Sequence, residues 1–228
     1  SENSPMTAYL FSELCQEAAM PKGLINFVYG HDLKIGQMIV QHEDVPAISY
    51  VGDEVTGKKI ASVACPSLKK FVTDTFQLHA FLMQGGYDKE RSMNAVIETA
   101  FLEGGPAWAS GTILFVQQED VEELTQFLKK KLALLKMGDP MDKSTDIGPV
   151  SSAENKEDIL VNLTKMKEEG AEIVYGGDKV AMSDKLKKGF YIMPAVVQYP
   201  MDKLPSFNLL KGPLLTIVPY DKKENILH

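Results

Sequence analysis

Ala47-Ile-Ser-Tyr-Val-Gly52-Asp-Glu-Val-Thr-Gly57-Lys-Lys-Ile-Ala-Ser-Val-Ala64 is the stretch that decides the fold. Its first five residues have the β-branched and aromatic character of a strand, Gly52 ends that run, and a helical pattern follows over about 55–64. A further strand-like run occupies 71–77. Strands that alternate with helices predict a βαβ unit and a mainly parallel sheet. With a helix over about 33–41, this half of the chain resembles part of a doubly wound nucleotide-binding layer.

The rest of the chain continues the alternation. Ser4 and Pro5 predict the start of a helix that reaches about residue 19, and a strand is predicted over 24–29. After residue 78 we predict further helices over 90–102, 121–135 and 153–169, and strands over 112–116, 172–175 and 214–218. The predicted organisation is therefore a partial dinucleotide-binding, Rossmann-like domain over 1–77 and a second α/β domain over 78–228.

Composition excludes several classes of function. The chain has 228 residues and a net charge of −7, which disfavours a nucleic acid partner. It has no run of the ~20 apolar residues that span a bilayer and no secretory signal pattern, so we predict a cytoplasmic protein without a membrane partner. The two cysteines, Cys15 and Cys65, have no metal-ligand spacing, so no metal site is expected. Both thiols are predicted to be small buried hydrophobic residues.

Several separated motifs follow a known order. They are Pro21-Lys-Gly-Leu-Ile-Asn-Phe-Val-Tyr-Gly30, the Gly52 to Gly57 turn, Phe101-Leu-Glu-Gly-Gly-Pro-Ala-Trp108-Ala-Ser-Gly111, Gly138-Asp-Pro-Met-Asp-Lys-Ser-Thr-Asp-Ile-Gly-Pro149, Gly189-Phe-Tyr-Ile-Met-Pro194 and Gly212-Pro213. In this order they resemble the aldehyde dehydrogenase superfamily across nearly the whole chain. The resemblance implies a partial Rossmann-type cofactor half followed by an α/β catalytic-type domain. The chain is expected to be truncated, and the pseudo-enzyme unit of a sixteenth-family-type protein is one source compatible with the pattern.

The resemblance also identifies catalytic positions, and the residues there are chemically wrong for the family reaction. Trp108 stands where the family has its nucleophilic cysteine, and an indole cannot form a thiohemiacetal. The family's general-base glutamate aligns with Thr75, beside Asp74, and a hydroxyl is no general base at neutral pH. Glu103 replaces the asparagine of the nucleophile loop. We therefore assign no catalytic residue to this chain.

The family's cofactor positions are altered as well. By resemblance, Glu2 and Leu209 occupy ribose-side positions, and Gly52, Asp53 and Gly57 form the turn that would hold the pyrophosphate. A helix N-terminus attracts phosphate through its free N–H groups, but a carboxylate at Asp53 would cap the helix and repel the anion. No bound cofactor is therefore expected; if one binds, it is NAD or NADP.

Three interpretations remain open from the sequence. The first is a catalytically inactive aldehyde dehydrogenase-like domain with a structural or interaction role. The second is an NAD(P)-dependent aldehyde oxidoreductase that oxidises an aldehyde to a carboxylic acid with another nucleophile, such as Cys65. The third is ligand binding without turnover in the cleft formed by Pro5, Gly30, Gly52 and Gly57. For the first we expect homo-oligomers or contacts with other parts of a larger polypeptide, because open sheet edges favour pairing.

Overall fold

A computed structural model describes residues 5–30, 33–75, 79–101, 112–178, 180, 182–201, 203–206 and 212–222. The chain divides into two compact units, Ser1–Phe76 and Gln77–His228, beside the predicted domain boundary. Both units mix helices with parallel strands, so the prediction of an α/β fold is confirmed. The assignment of the units to cofactor and catalytic roles stays a prediction.

The first unit contains the predicted βαβ arrangement. Its helices are α1 (Met6–Glu17), α2 (Leu33–Gln41) and α3 (Glu54–Ala64), and its strands are β1 (Ala47–Gly52) and β2 (Lys70–Thr75). The two strands pair in parallel, with Gly52 opposite Thr75 at their carboxyl ends. Since α3 connects them, its N-terminus opens directly after the last residue of β1.

The second unit is built on a five-stranded sheet of order β3-β4-β7-β6-β5. Its strands are β3 (His79–Leu82), β4 (Thr112–Gln117), β5 (Glu172–Tyr175), β6 (Ala195–Gln198) and β7 (Leu214–Tyr220), and its helices are α4 (Lys89–Phe101), α5 (Val121–Leu132) and α6 (Ala153–Glu168). All neighbouring strands are parallel except β5, which pairs antiparallel with β6.

Two hydrophobic clusters form the core of this unit, one on each face of the sheet. Leu114 and Leu215 lie in one cluster with side chains of α4 and α5, whereas Ile113 and Leu214 lie in the other with side chains of α6. Every residue of β7 is buried. Because successive strand residues point to opposite faces, a central strand covered by helices on both faces is largely apolar, with Thr216 as a buried polar exception in β7.

The predicted strand over 24–29 is wrong. Leu24 donates its N–H to Pro21 O at 3.1 Å, and Gly23 has a φ of +84°, so the segment begins in a turn. In the described part of the chain no strand pairs with it, and an extended segment without a hydrogen-bonded neighbour is not a strand. The prediction failed because β-propensity reports side-chain character and does not supply a pairing partner.

Two further expectations are corrected. Strand β3, only four residues long, was not predicted, although its apolar Ala80-Phe-Leu-Met83 run before Gly85-Gly86 was an available signal. Cys65 was expected to be buried, but it is exposed. It begins a short 3₁₀ turn, Cys65–Ser67, directly after the buried Ala64 that ends α3. Cys15 is half-buried.

Candidate functional site

The turn between β1 and α3 is the best-defined part of the candidate site. Gly52 ends β1, and Asp53 follows as the N-cap of α3 with an extended backbone (φ −71°, ψ 151°). Its carboxylate oxygen Oδ1 accepts a hydrogen bond from the Thr56 backbone N–H at 2.8 Å. The helix-capping role predicted for Asp53 is therefore confirmed.

The phenol of Tyr50 closes the same turn from the side of the strand. Its hydroxyl donates to Oδ2 of Asp53 at 3.2 Å. A Cβ atom built on Gly52 would lie 2.2 Å from the Tyr50 hydroxyl oxygen, so the glycine makes room for the ring. Tyr50 was not selected from the sequence, although its position three residues before an N-cap aspartate was visible there. The turn thus contains a carboxylate and a phenol that bond to each other.

Hydrogen bonding keeps the Asp53 carboxylate charged. Partial burial acts to raise its pKa, but hydrogen bonds from Thr56 and Tyr50 favour the ionised form more strongly, and the pKa lies below its ordinary value. Glu54 adds a second carboxylate in the first turn of α3, where it pairs with Lys58 at 2.6 Å. Asp53 therefore places a negative charge at the helix end that would attract an anion if it were bare.

We expect Asp53 to titrate below pH 3.8, its ordinary pKa, when its carboxyl carbon is followed by NMR. Replacing Tyr50 with phenylalanine removes one donor to the carboxylate and should move the pKa upward. Because the folded-state pKa is depressed, the stability contributed by Asp53 is present above the unfolded-state pKa and is lost as the pH falls through the folded-state value. A Tyr29→Phe variant, altered at an exposed tyrosine of the same unit, should leave the titration unchanged. A midpoint at or above 3.8 in the unmodified protein would contradict the expectation.

Thr75 and Gly57 lie beside this turn. Thr75 ends β2 and pairs in register with Gly52. A Cβ atom added to Gly57 would lie 3.3 Å from Cγ2 of Thr75 and 3.4 Å from the Tyr50 ring, so buried Gly57 allows α3 to approach the ends of both strands. The structure thus brings together four of the residues selected from the sequence: Gly52, Asp53, Gly57 and Thr75.

Four other selected positions lie outside the described residues. These are Glu2, Glu103, Trp108 and Leu209. Their assignments by resemblance therefore stay predictions. Among the described residues, no group of three or more histidine, cysteine, aspartate or glutamate side chains is arranged to hold a metal ion. No helix in the described ranges is long and apolar enough to cross a membrane.

Residues 136–149 are the segment whose sequence most closely resembles a motif of the aldehyde dehydrogenase superfamily. They form a loop with hydrogen bonds between its own residues. Asp146 accepts a hydrogen bond from the Lys136 N–H at 2.9 Å, and Gly138 donates to Ile147 O at 3.0 Å. Tyr191 is buried, and its hydroxyl donates a hydrogen bond to Gly138 O at 2.9 Å. This bond connects the loop to the rest of the second unit. These contacts hold residues 136–149 in a series of turns.

A cavity of about 890 Å³ lies in the first unit, away from the turn. Residues of α1 and of the segment 20–29 line it, including Tyr9, Cys15 and Phe27, and the Gly52 turn contributes none of its walls. The residues that the resemblance assigns to cofactor binding, Gly52, Asp53 and Gly57, do not line this cavity. We therefore take the turn, and not this cavity, as the candidate site.

A glycine turn between a parallel strand and a helix, followed by a mainly parallel sheet with helices on both faces, defines an α/β protein of Rossmann-like type. The sequence model of the aldehyde dehydrogenase family matches residues 1–228. The chain is 29% identical over 228 residues to betaine aldehyde dehydrogenase of Rhizobium etli, with 100% of this chain and 46% of the relative covered. It is 30% identical over 226 residues to human 4-trimethylaminobutyraldehyde dehydrogenase, covering 98% and 46%.

Solved structures give the same result. An aldehyde dehydrogenase from Bacillus cereus in complex with NAD⁺ superposes with a TM-score of 0.89 at 26% identity and covers 99% of this chain and 45% of its own. Betaine aldehyde dehydrogenase from Staphylococcus aureus, also with NAD⁺, gives a TM-score of 0.85 at 25% identity, with 99% and 45% covered. This chain belongs to the aldehyde dehydrogenase family, and its predicted aldehyde dehydrogenase-like fold is confirmed. It spans about half the length of the curated relatives it matches.

Proposed function

We propose that this chain is a non-catalytic aldehyde dehydrogenase-like domain whose role is structural or interactive. The observation that carries the proposal is the N-terminus of α3, where the Asp53 carboxylate already accepts a hydrogen bond from the Thr56 N–H. This is the end of the helix at which the family resemblance leads us to expect a diphosphate. The chain supplies its own anion at that position.

The hydrogen-bonding capacity of the helix end supports the proposal. The first N–H groups of an α-helix have no partner within the helix, and these groups bind phosphate in nucleotide sites. Here the Asp53 carboxylate uses the Thr56 N–H, which is one of those groups, and the bonding within the helix begins with the Gly57 N–H to Asp53 O at 3.0 Å. A diphosphate that bound here would have to take the Thr56 N–H from the Asp53 carboxylate, and the carboxylate would then lose this hydrogen-bond donor.

The charge of the turn acts in the same direction. Two negative charges ~4 Å apart repel by about 1 kcal/mol in bulk water and about 4 kcal/mol at the effective dielectric near a protein surface. Such repulsion weakens binding by up to about three orders of magnitude. Tyr50 holds the carboxylate within the turn, which hinders its rotation away from an incoming anion.

The residues at the resembling catalytic positions add chemical support. Trp108 offers an indole N–H where the family reaction needs a thiolate, and Thr75 offers a hydroxyl where it needs a carboxylate base. These losses are chemically independent of the altered phosphate turn. A chain that needs only to fold and to bind a partner retains its turn formers, as in residues 136–149, without retaining either group.

An NAD(P)-dependent aldehyde oxidoreductase is the second candidate. Membership of the family favours it, as does the similarity to enzymes whose solved structures contain NAD⁺. It requires a nucleophile other than Trp108, and exposed Cys65 is the thiol selected from the sequence for that role. Under this interpretation, Cys65→Ser should abolish the oxidation of aldehydes.

The two candidates are separated by measuring cofactor binding and turnover together. We expect calorimetry to give no saturable binding of NAD or NADP at concentrations up to about 1 mM, which corresponds to about −4 kcal/mol. With a panel of aldehydes, no reduced cofactor should accumulate above the level of a Trp108→Ala control. A Trp108→Cys variant should also remain inactive, because the thiol alone restores neither a base nor a phosphate site.

An Asp53→Asn variant is the matched control for charge. Asparagine caps helices about as well as aspartate, so α3 should keep its N-terminus while the charge is removed. We expect saturable NAD binding to appear in this variant at concentrations below about 1 mM, where the unmodified protein shows none, still without turnover. Formation of NADH above the Trp108→Ala level by the unmodified protein would refute the proposed function. Loss of that activity in Cys65→Ser would then establish the second candidate.

A further inference from the structure

The carboxyl end of α6 carries a carboxylate that is held by another part of the chain. Glu169, the half-buried C-cap residue of this helix, accepts hydrogen bonds on both of its carboxylate oxygens. The hydroxyl of Tyr199 donates to Oε2 at 2.5 Å, and the hydroxyl of Ser206 donates to Oε1. The Ser206 N–H also donates to Oε2, at 3.4 Å. The donors thus come from residues 30 and 37 positions further along the chain, after β6.

Ser206 belongs to a short surface connection that we call the strap, which is the described residues 200–201 and 203–206, directly after Tyr199. A second contact fastens it, because Lys203 Nζ donates to the main-chain oxygen of Glu169. That oxygen is one of the last carbonyls of α6, which have no partner within the helix. Of these strap residues only Pro205 is buried. Little apolar burial holds the strap, so the polar contacts with Glu169 are its main attachment in the described part of the chain.

The charge of Glu169 makes this attachment conditional. A helix C-terminus disfavours a carboxylate through its dipole, so the ionised form depends on donors from outside the helix. The pKa of Glu169 lies below its ordinary value, because the hydroxyl of Ser206 and then that of Tyr199 favour the charged form. Burial first, and then the hydrogen bond to Glu169, raises the pKa of Tyr199, so the phenol keeps its proton as a donor. The other charged residues described on the elements that meet here are Lys203 of the strap, Lys165, Lys167 and Glu168 of α6, and Glu172 at the start of β5.

We propose that the ionised carboxylate of Glu169 is the latch of the strap, and that neutralising this carboxylate releases the strap from α6. Hydrogen bonds to an ionised acceptor are about twice as strong as those to a neutral one, so protonation weakens both hydroxyl contacts at once. Release stays local, because the Tyr199 N–H donates to Ile217 O of β7 at 2.9 Å and this bond does not involve Glu169. The latch controls a conformational equilibrium of the second unit, which goes beyond the proposed function and does not depend on it.

Amide hydrogen exchange followed by NMR at neutral pH tests the latch. Glu169→Gln keeps the size of the side chain and removes its charge. We expect the N–H groups of Lys203 and Ser206, which are hydrogen-bonded in the latched strap, to exchange about tenfold or more faster in this variant. Glu168→Gln is the matched control, since it removes a charge at the exposed neighbouring position of the same helix. Unchanged exchange in β6 and β7 shows that both variants fold. Equal exchange in Glu169→Gln and the unmodified protein would overturn the proposal, and so would equal acceleration by the two variants.

The pH dependence of the same exchange, corrected for the intrinsic exchange rate, is the second test. Because the folded-state pKa of Glu169 is depressed, protection of the strap should be present above the ordinary pKa of 4.5 and should be lost as the pH falls through the lower folded-state value. Ser206→Ala removes one donor, so we expect the loss to begin at a higher pH, whereas Glu169→Gln should show no such transition. Protection that is independent of pH in the unmodified protein would overturn the proposal. A loss that coincides with that of β6 and β7 would be global unfolding and would overturn it as well, whether or not the chain binds NAD.

Discussion

Replacing Gly176 with alanine is expected to lower the free energy of unfolding of the second unit by about 3–5 kcal/mol. Gly176 follows β5 with a φ of +63°, in the left-handed region that L-residues disfavour. A Cβ atom there would lie 1.8 Å from Pro194 O and 2.9 Å from Pro194 C, which are backbone atoms that no rotamer change can move. The turn would have to shift and would disturb the pairing of Tyr175 with Val196. Urea unfolding followed by circular dichroism measures the loss.

Gly86→Ala separates the two causes of that loss. Gly86 has a similar backbone, with a φ of +85°, but no atom lies within 4 Å of its added Cβ. This variant should therefore cost only the intrinsic left-handed penalty of about 1–2 kcal/mol. Equal losses in the two variants would mean that the close approach to Pro194 has no energetic consequence, contrary to the geometry described above.

Truncating Phe101 to alanine is expected to destabilise the second unit by about 3–5 kcal/mol and to lower its melting temperature by roughly 10 °C. Phe101 is the last residue of α4 and is 0% exposed within the cluster that also contains Leu114 and Leu215. Removing the ring loses its burial and leaves a cavity between the helix and the sheet. Thermal unfolding monitored by circular dichroism measures the effect.

The control for this truncation is Leu134→Ala. Leu134 is largely exposed, so its shortening should change stability by no more than about 0.5 kcal/mol. If Phe101→Ala matched this small change, Phe101 would not be a core residue. Because Phe101 immediately precedes the segment that contains Trp108, the same variant can be examined for cofactor binding. Under the proposed function we expect no cofactor binding in this variant either, since the Gly52 turn belongs to the first unit.

Local chemistry explains the elements that were predicted correctly. The apolar run of β7, the helical pattern of α6 and the glycine turn before α3 are each encoded by residues within or next to the element. The Asp53 cap was predictable for the same reason, because a capping carboxylate bonds to an N–H only three residues away. The family motifs added the order of these segments, which the comparisons with known proteins confirm.

Tertiary structure decided the features that depend on a distant partner. Residues 24–29 look like a strand but have no neighbouring strand in the described part of the chain, whereas the short β3 is a strand because β4 pairs with it. The sequence did not give the order β3-β4-β7-β6-β5, because pairing partners are chosen by contacts far apart along the chain. It also predicted a helix at α1 without indicating that its large apolar side chains are exposed.

The sequence by itself therefore determined the fold class and the family, since each depends on residue type and local spacing; the absence of a nucleophile at Trp108 stays a prediction from the resemblance. Only the tertiary structure decided that Tyr50 and Asp53 bond to each other in the turn at Gly52. It also decided that the side chains of Met6, Leu10 and Leu14 are exposed. The physical reason is that periodicity and capping act over a few residues, whereas burial depends on which surfaces meet in space.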